Sequence, residues 1–132
     1  MPYLLDTNIV SDLVHHPRGH VRNRIAEMRG VQICTSIIVA AEMRFGVAWK
    51  KSPKLAAQLE AVLNGLEVCP LESPANVFYG ELRAQLEAAG TPIGANDLLI
   101  AAHALALGCT LVTDNEREFA RIKSLTIENW LR

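Results

Sequence analysis

The chain holds four aspartates beside ten glutamates, and three of the four, Asp6, Asp97 and Asp114, stand where an apolar segment meets a turn. Only Asp12 reads as an ordinary surface residue. Carboxylates reaching one point from different elements are what a hard divalent cation requires, because magnesium and its relatives are held by oxygen. Magnesium held by a few carboxylates and completed by water activates that water and clamps the oxygens of a phosphodiester. The chemistry to expect is phosphodiester hydrolysis.

Glu42 is an acid of another kind. It lies inside an apolar helical segment, after Ile38 and Val39 and before Phe45, with no Lys or Arg one turn away on the same face. A carboxylate on or beside a buried face must be protonated, paired or bound to a cation, since burying an unpaired charge is costly. Each acid alone has a plainer reading: Asp6 and Asp97 as helix caps, Asp114 as a turn former, Glu42 as half of a salt bridge. Their conjunction favours the metal site.

No other catalytic set competes. There is no glycine-rich phosphate loop, no Gly-x-Ser-x-Gly elbow and no His-Glu-x-x-His. His15, His16 and His20 read as surface residues, and His103 as a hydrogen-bonded core histidine. Trp49, Trp130, Tyr3 and Tyr79 are too scattered for a base-stacking platform and fit core or interface packing better.

The elements that must carry the acids alternate between helical patterns and short β-like runs, which predicts an α/β fold with crossover helices. Tyr3 to Leu5 reads as a buried strand that stops at Asp6-Thr7-Asn8, a trio suited to helix starts. A short helix ends before Pro17, a second runs from His20 to Met28, and Val31 to Thr35 is the second strand. Ser36 caps a third helix through Gly46, and Ser52-Pro53 starts a fourth that Gly65 stops. Leu66 to Leu71 is a third strand, after which Ser73-Pro74 repeats the same helix-start chemistry and Gly90 ends the fifth helix. Leu98 to Leu107 is a helix apolar on nearly every side, entered through Gly94 to Asp97 and closed by Gly108. Thr110 to Thr113 is a further strand, a short helix ends at Phe119, and Leu125 to Ile127 is a last edge strand. In a parallel sheet, ligands bind beyond the carboxyl ends of the strands where strand order reverses. If the first and fourth strands are neighbours, Asp6 and Asp114 emerge at that edge, and Asp97 reaches it from its helix N-terminus.

With 132 residues, half of them hydrophobic, the chain is expected to form one domain over 1–132 without metal staples. The net charge of -1 is unevenly spread: residues 15–54 carry Arg18, Arg22, Arg24, Arg29, Arg44, Lys50, Lys51 and Lys54 against Glu27 and Glu42. A basic region of that kind suits a phosphate backbone or a solvated face. Cys34, Cys69 and Cys109 are odd in number and flanked by apolar residues, which points to buried thiols in a reducing cytoplasm. The start, Met1 to Asp6, lacks the basic and apolar regions of a secretory signal, and no stretch is long enough to span a bilayer.

Four blocks carry a resemblance: Leu-Leu-Asp-Thr-Asn at 4–8, Ala-Ala-Glu-Met-Arg-Phe-Gly at 40–46, Asn-Asp-Leu-Leu-Ile-Ala-Ala-His-Ala at 96–104 and Leu-Val-Thr-Asp-Asn-Glu-Arg-Glu-Phe at 111–119. In this order and spacing they resemble the PIN-domain ribonucleases, specifically the VapC-type toxins of bacterial type II VapBC toxin–antitoxin pairs. The resemblance implies a PIN-like fold, a four- to five-stranded parallel sheet flanked by helices. It also implies a homodimer, magnesium or manganese dependence, RNA cleavage that arrests translation (with transfer RNA as a candidate substrate), and a cognate antitoxin as partner. Carried over by position, Asp6 and Asp97 are the principal metal ligands, and Glu42 acts on the metal or its water. Thr7, Asn8 and Thr113 match the surrounding polar residues. Many relatives have an aspartate two residues after the threonine, where this chain has Asn115. Glu118, and after it Asp114, are the candidates to supply the missing charge. Two other readings are a haloacid-dehalogenase-like phosphatase, which needs an aspartate where Asn8 stands, and a PIN-like module without catalysis.

Overall fold

The computed structural model describes residues 2–132 and leaves Met1 outside. Strand β1 (Tyr3–Leu5) enters the core and hands over at Asp6 to helix α1 (Thr7–His15). Helix α2 (His20–Glu27), strand β2 (Ile33–Ser36), helix α3 (Ile37–Lys50), helix α4 (Pro53–Asn64) and strand β3 (Glu67–Cys69) follow. After helix α5 (Ala75–Ala88) come helix α6 (Ala95–Leu107), strand β4 (Thr110–Val112), the short helix α7 (Glu116–Phe119) and strand β5 (Ile127–Glu128).

The sheet has five strands in the order β3-β2-β1-β4-β5, and every pairing is parallel. Strands buried in such a sheet read as unbroken apolar runs, as Tyr3-Leu4-Leu5 and Thr110-Leu111-Val112 do. The chain works outwards from β1 to β3 and then crosses back to place β4 on the other side of β1. Strand order therefore reverses between β1 and β4, and Leu5 lies opposite Val112. That register sets Asp6 and Thr113, the next residue of each strand, side by side at the carboxyl edge.

Helices α1 to α4 pack on one another, α5 packs against α6, and α3 touches α6. Helix α6 is the most buried: Leu98, Ile100, Ala101, Ala102, His103 and Ala104 are all enclosed. His103 sits in that core with Nδ1 2.8 Å from Ser36 Oγ. The three cysteines are free and buried. No helix among the described residues is long and apolar enough to cross a membrane.

Several boundaries differ from expectation for identifiable reasons. Helix α3 passes through Gly46 and ends where Lys51 takes a left-handed φ of 53°; a single glycine weakens a helix by only about 1 kcal/mol, so the residues after it continue the turn. Ser73-Pro74 does not repeat the cap at Ser52-Pro53. Ser52 accepts from the Leu55 amide, whereas Pro74 itself holds the N-cap of α5, with no side-chain bond there, and the Ser73–Pro74 peptide is cis. The outer strands are shorter or shifted: β3 keeps only the middle of 66–71, and β5 begins at Ile127. Asp12 is half-buried, with Oδ2 enclosed and unpartnered among the described residues, so it is not an ordinary surface acid. The basic region is partly neutralised, since Arg44 pairs with Glu60 and Arg24 lies 3.5 Å from Glu128.

Candidate active site

Asp6 is the best-anchored acid. It is only 3% exposed and caps α1. Oδ1 accepts from the Thr7 amide at 2.8 Å, and Oδ2 accepts from Thr113 Oγ1 at 2.7 Å. Thr113 Oγ1 also accepts from the Asn115 amide at 3.0 Å, so one hydroxyl ties the end of β4 to both Asp6 and the following turn. Burial raises the Asp6 carboxyl above its ordinary value and the charges of Glu42 and Glu118 add to this, against the two hydrogen bonds.

Glu42 faces the same place from α3. It lies at the boundary of the core, because Val39 is buried while Phe45, expected beside it on the inner face, is 68% exposed. Its partners are neutral: Thr7 Oγ1 donates to Oε1 at 2.5 Å and Asn96 Nδ2 donates to Oε2 at 3.3 Å. The plainer alternative, a salt bridge at Glu42, is absent among the described residues. Asn96 was not anticipated from the sequence; a polar residue beside Asp97 at the start of an otherwise apolar helix is the signal that would have found it.

Asp97 stands in the first turn of α6, where the helix dipole favours a negative charge. Among the described residues its one side-chain donor is weak, Asn115 Nδ2 at 3.5 Å. Burial, followed by the charges of Asp6, Glu118 and Glu42, pushes its carboxyl up to about 6. The fold has gathered negative charge that its own donors do not balance.

The last turn separates the remaining candidates. Asp114 is not brought to the cluster: it is exposed, and Asn129 Nδ2 holds its Oδ1 at 2.9 Å on the side of the chain's end. Its amide donates to Asn8 Oδ1 at 3.0 Å, which braces this turn against α1. Glu118 does reach the cluster, with both oxygens engaged by the Gly94 amide and Asn115 Nδ2, each at 2.9 Å. Those bonds, the Gly94 amide first, hold its carboxyl below the ordinary value.

No three His, Cys, Asp or Glu side chains among the described residues are close enough to cage an ion as they stand. Magnesium does not need such a cage, since it is commonly held by one or two carboxylates, with water and substrate phosphate filling the other positions. Asp6 and Asp97 supply oxygen donors of the right hardness, and a divalent cation would relieve the negative charge that, after burial, lifts Asp97. The donor set fits.

A sequence-family model described as "PIN domain" matches residues 3–125, a span that contains every acid of the cluster. The chain belongs to the PIN-domain family. Over 132 residues it is 43% identical to "Ribonuclease VapC2" of Rickettsia felis, covering 98% of each chain. It is 34% identical to the "tRNA(fMet)-specific endonuclease VapC" of Salmonella typhimurium, again over 98% of each. Among solved structures it resembles a chain of the Rickettsia felis VapBC2 complex bound to a promoter DNA fragment, with a TM-score of 0.91 at 40% identity, covering 98% of this chain and 99% of that one. This PIN domain is therefore a nuclease of the toxin–antitoxin type, and the phosphatase reading falls away.

The raised Asp97 carboxyl gives a pH dependence with a definite sign. Its value is lifted from 3.8 to about 6, so the native state binds this proton more tightly than the unfolded chain. The metal-free protein is therefore favoured at low pH and loses that increment as pH rises through about 6. Partial exposure limits the effect to about 1–2 kcal/mol. Melting wild type and Asp97→Asn in a chelator across this range should show the wild type losing ground to the variant as pH rises. A constant difference between the two would refute it.

Proposed function

We propose that the chain acts as a single-domain toxin of a type II toxin–antitoxin pair, an endoribonuclease that requires magnesium or manganese. The observation that carries this reading is the convergence of Asp6, Glu42 and Asp97 at the β1/β4 edge, where burial and then its neighbours' charges push Asp97 up to about 6. Asp6 and Asp97 would hold the cation. When bound, the ion supplies Lewis acidity to the phosphate and makes a water more acidic. Glu42 Oε1 is fixed by Thr7, so Oε2, with only its long contact from Asn96, is the atom free to take a proton from the attacking water. Asp6 is kept in place by Thr113, which in turn is held by the sheet.

The substrate is RNA, with transfer RNA the first class to test because the Salmonella relative is named for it. Cleavage there would arrest translation in the cytoplasm. A cognate antitoxin would neutralise the enzyme; the similar Rickettsia felis chain is part of a VapBC2 complex. The test is to incubate the purified protein with total transfer RNA plus magnesium, manganese or chelator. Metal-dependent cuts support the reading. Tight RNA binding without cleavage in either metal would replace it with a non-catalytic module.

Homodimerisation belongs to the same proposal and has a physical candidate. Phe45 and Trp49 on α3 are 68% and 77% exposed, with ring centroids 6.2 Å apart. Two large exposed aromatics side by side on one helix face suit an interface. Trp49→Lys is expected to shift the protein from dimer to monomer in sedimentation; an unchanged sedimentation coefficient would remove this face from the dimer.

A further inference from the structure

Helix α6 delivers Asp97 to the site, yet its start lacks a side-chain cap of its own. Gly94 holds the N-cap position and no side-chain cap bond forms there. Asp97 stands three residues later, where the acid of a capping box turns back to bond the N-cap amide. Had Asp97 made that bond, its carboxylate would be committed to the helix. Instead the Gly94 amide donates to Glu118 Oε1 at 2.9 Å, from a residue 24 positions further along the chain. The other oxygen of Glu118 is occupied by Asn115 Nδ2 at 2.9 Å. A second strut lies alongside, Arg121 Nη1 donating to the Pro92 carbonyl at 2.8 Å. The segment entering α6 is thus fastened at two points to the chain in and just after α7.

We propose that Glu118 is a positioning residue that supplies the capping-box acid of α6 from another element, leaving Asp97 free to face Asp6 and Glu42, and that it does not itself bind the metal. The role assigned to Asp97 rests on the function proposed above; the bond from Gly94 to Glu118 does not. Asn115 has a part here as well, because its amide gives Glu118 a donor where an aspartate would repel it.

The test compares Glu118→Gln with Glu118→Ala. Glutamine keeps a carbonyl oxygen for the Gly94 amide, and alanine keeps none. In metal-free protein, hydrogen exchange at the Gly94 amide should be about tenfold faster in Glu118→Ala and within about threefold of wild type in Glu118→Gln, the size expected for losing one hydrogen bond. Calorimetry with magnesium alone should show affinity weakened about tenfold in Glu118→Ala and within about threefold of wild type in Glu118→Gln. If glutamine weakens magnesium binding as much as alanine while Gly94 exchange stays unchanged in both, Glu118 is a ligand and the proposal fails. If wild type binds no magnesium, the metal reading fails by itself, and Gly94 exchange alone decides the latch: faster exchange in Glu118→Ala supports it and unchanged exchange overturns it.

Discussion

Asp97→Asn should lower metal-dependent RNA cleavage by about a thousandfold or more while the protein remains folded, because losing a ligand forfeits several kcal/mol of charge stabilisation at about tenfold per 1.4 kcal/mol. Asparagine matches aspartate in shape and keeps a carbonyl oxygen for the Asn115 contact at 3.5 Å. What it removes is the negative charge that Asp6, Glu118 and Glu42 already crowd. The metal-free variant should therefore melt no lower than wild type near neutral pH. Cleavage rates under saturating magnesium, read beside thermal melts, check both halves. Retention of activity within tenfold of wild type would mean that Asp97 is not a principal ligand.

Trp130→Ala should destabilise the protein by about 3–5 kcal/mol, the usual range for truncating a fully buried aromatic. Trp130 is 1% exposed although it is the third residue from the end. Its ring lies 5.1 Å from that of Tyr3 at a tilt of 57°, Nε1 donates to Glu128 Oε1 at 3.0 Å, and the Arg24 guanidinium sits 5.3 Å over the ring centroid. The loss is large against a total stability of about 5–15 kcal/mol. The damage should also reach the site, because the Thr113 amide donates to the Glu128 carbonyl at 2.9 Å and Thr113 holds Asp6. Urea denaturation measures the first effect, and a midpoint close to wild type would show that the ring contributes little. Trp130→Phe should lose less, since it keeps the apolar contact and gives up only the Nε1 bond.

Much of this architecture was legible in the residues. The apolar runs and their punctuation gave the element order, and β1, α1, the start of α4 and the end of α6 lie where Asp6, Ser52-Pro53 and Gly108 place them. Family resemblance added the PIN-like fold and RNA as the substrate class, which the match over residues 3–125 and the ribonuclease relatives bear out. Position along the chain ranked Glu118 above Asp114 only through the resemblance, since the two lie four residues apart around one turn. Their roles depend on Asn129 and Gly94, partners 15 and 24 residues away. Phe45 was misleading for a related reason: helical periodicity shows which residues share a face, and only the neighbouring helices decide whether that face is covered.

By itself, then, the sequence determined which groups carry charge at the ends of apolar segments, because capping, turn formation and strand burial act over a few residues. Tertiary structure decided which of those charges meet. The strand crossing that sets Leu5 opposite Val112 brings Asp6 to Thr113, 107 residues away, and the packing of α3 beside α6 brings Glu42 within reach of Asn96. Hydrogen bonds and charge interactions depend on distance in space, and only the packed sheet and helices set that distance.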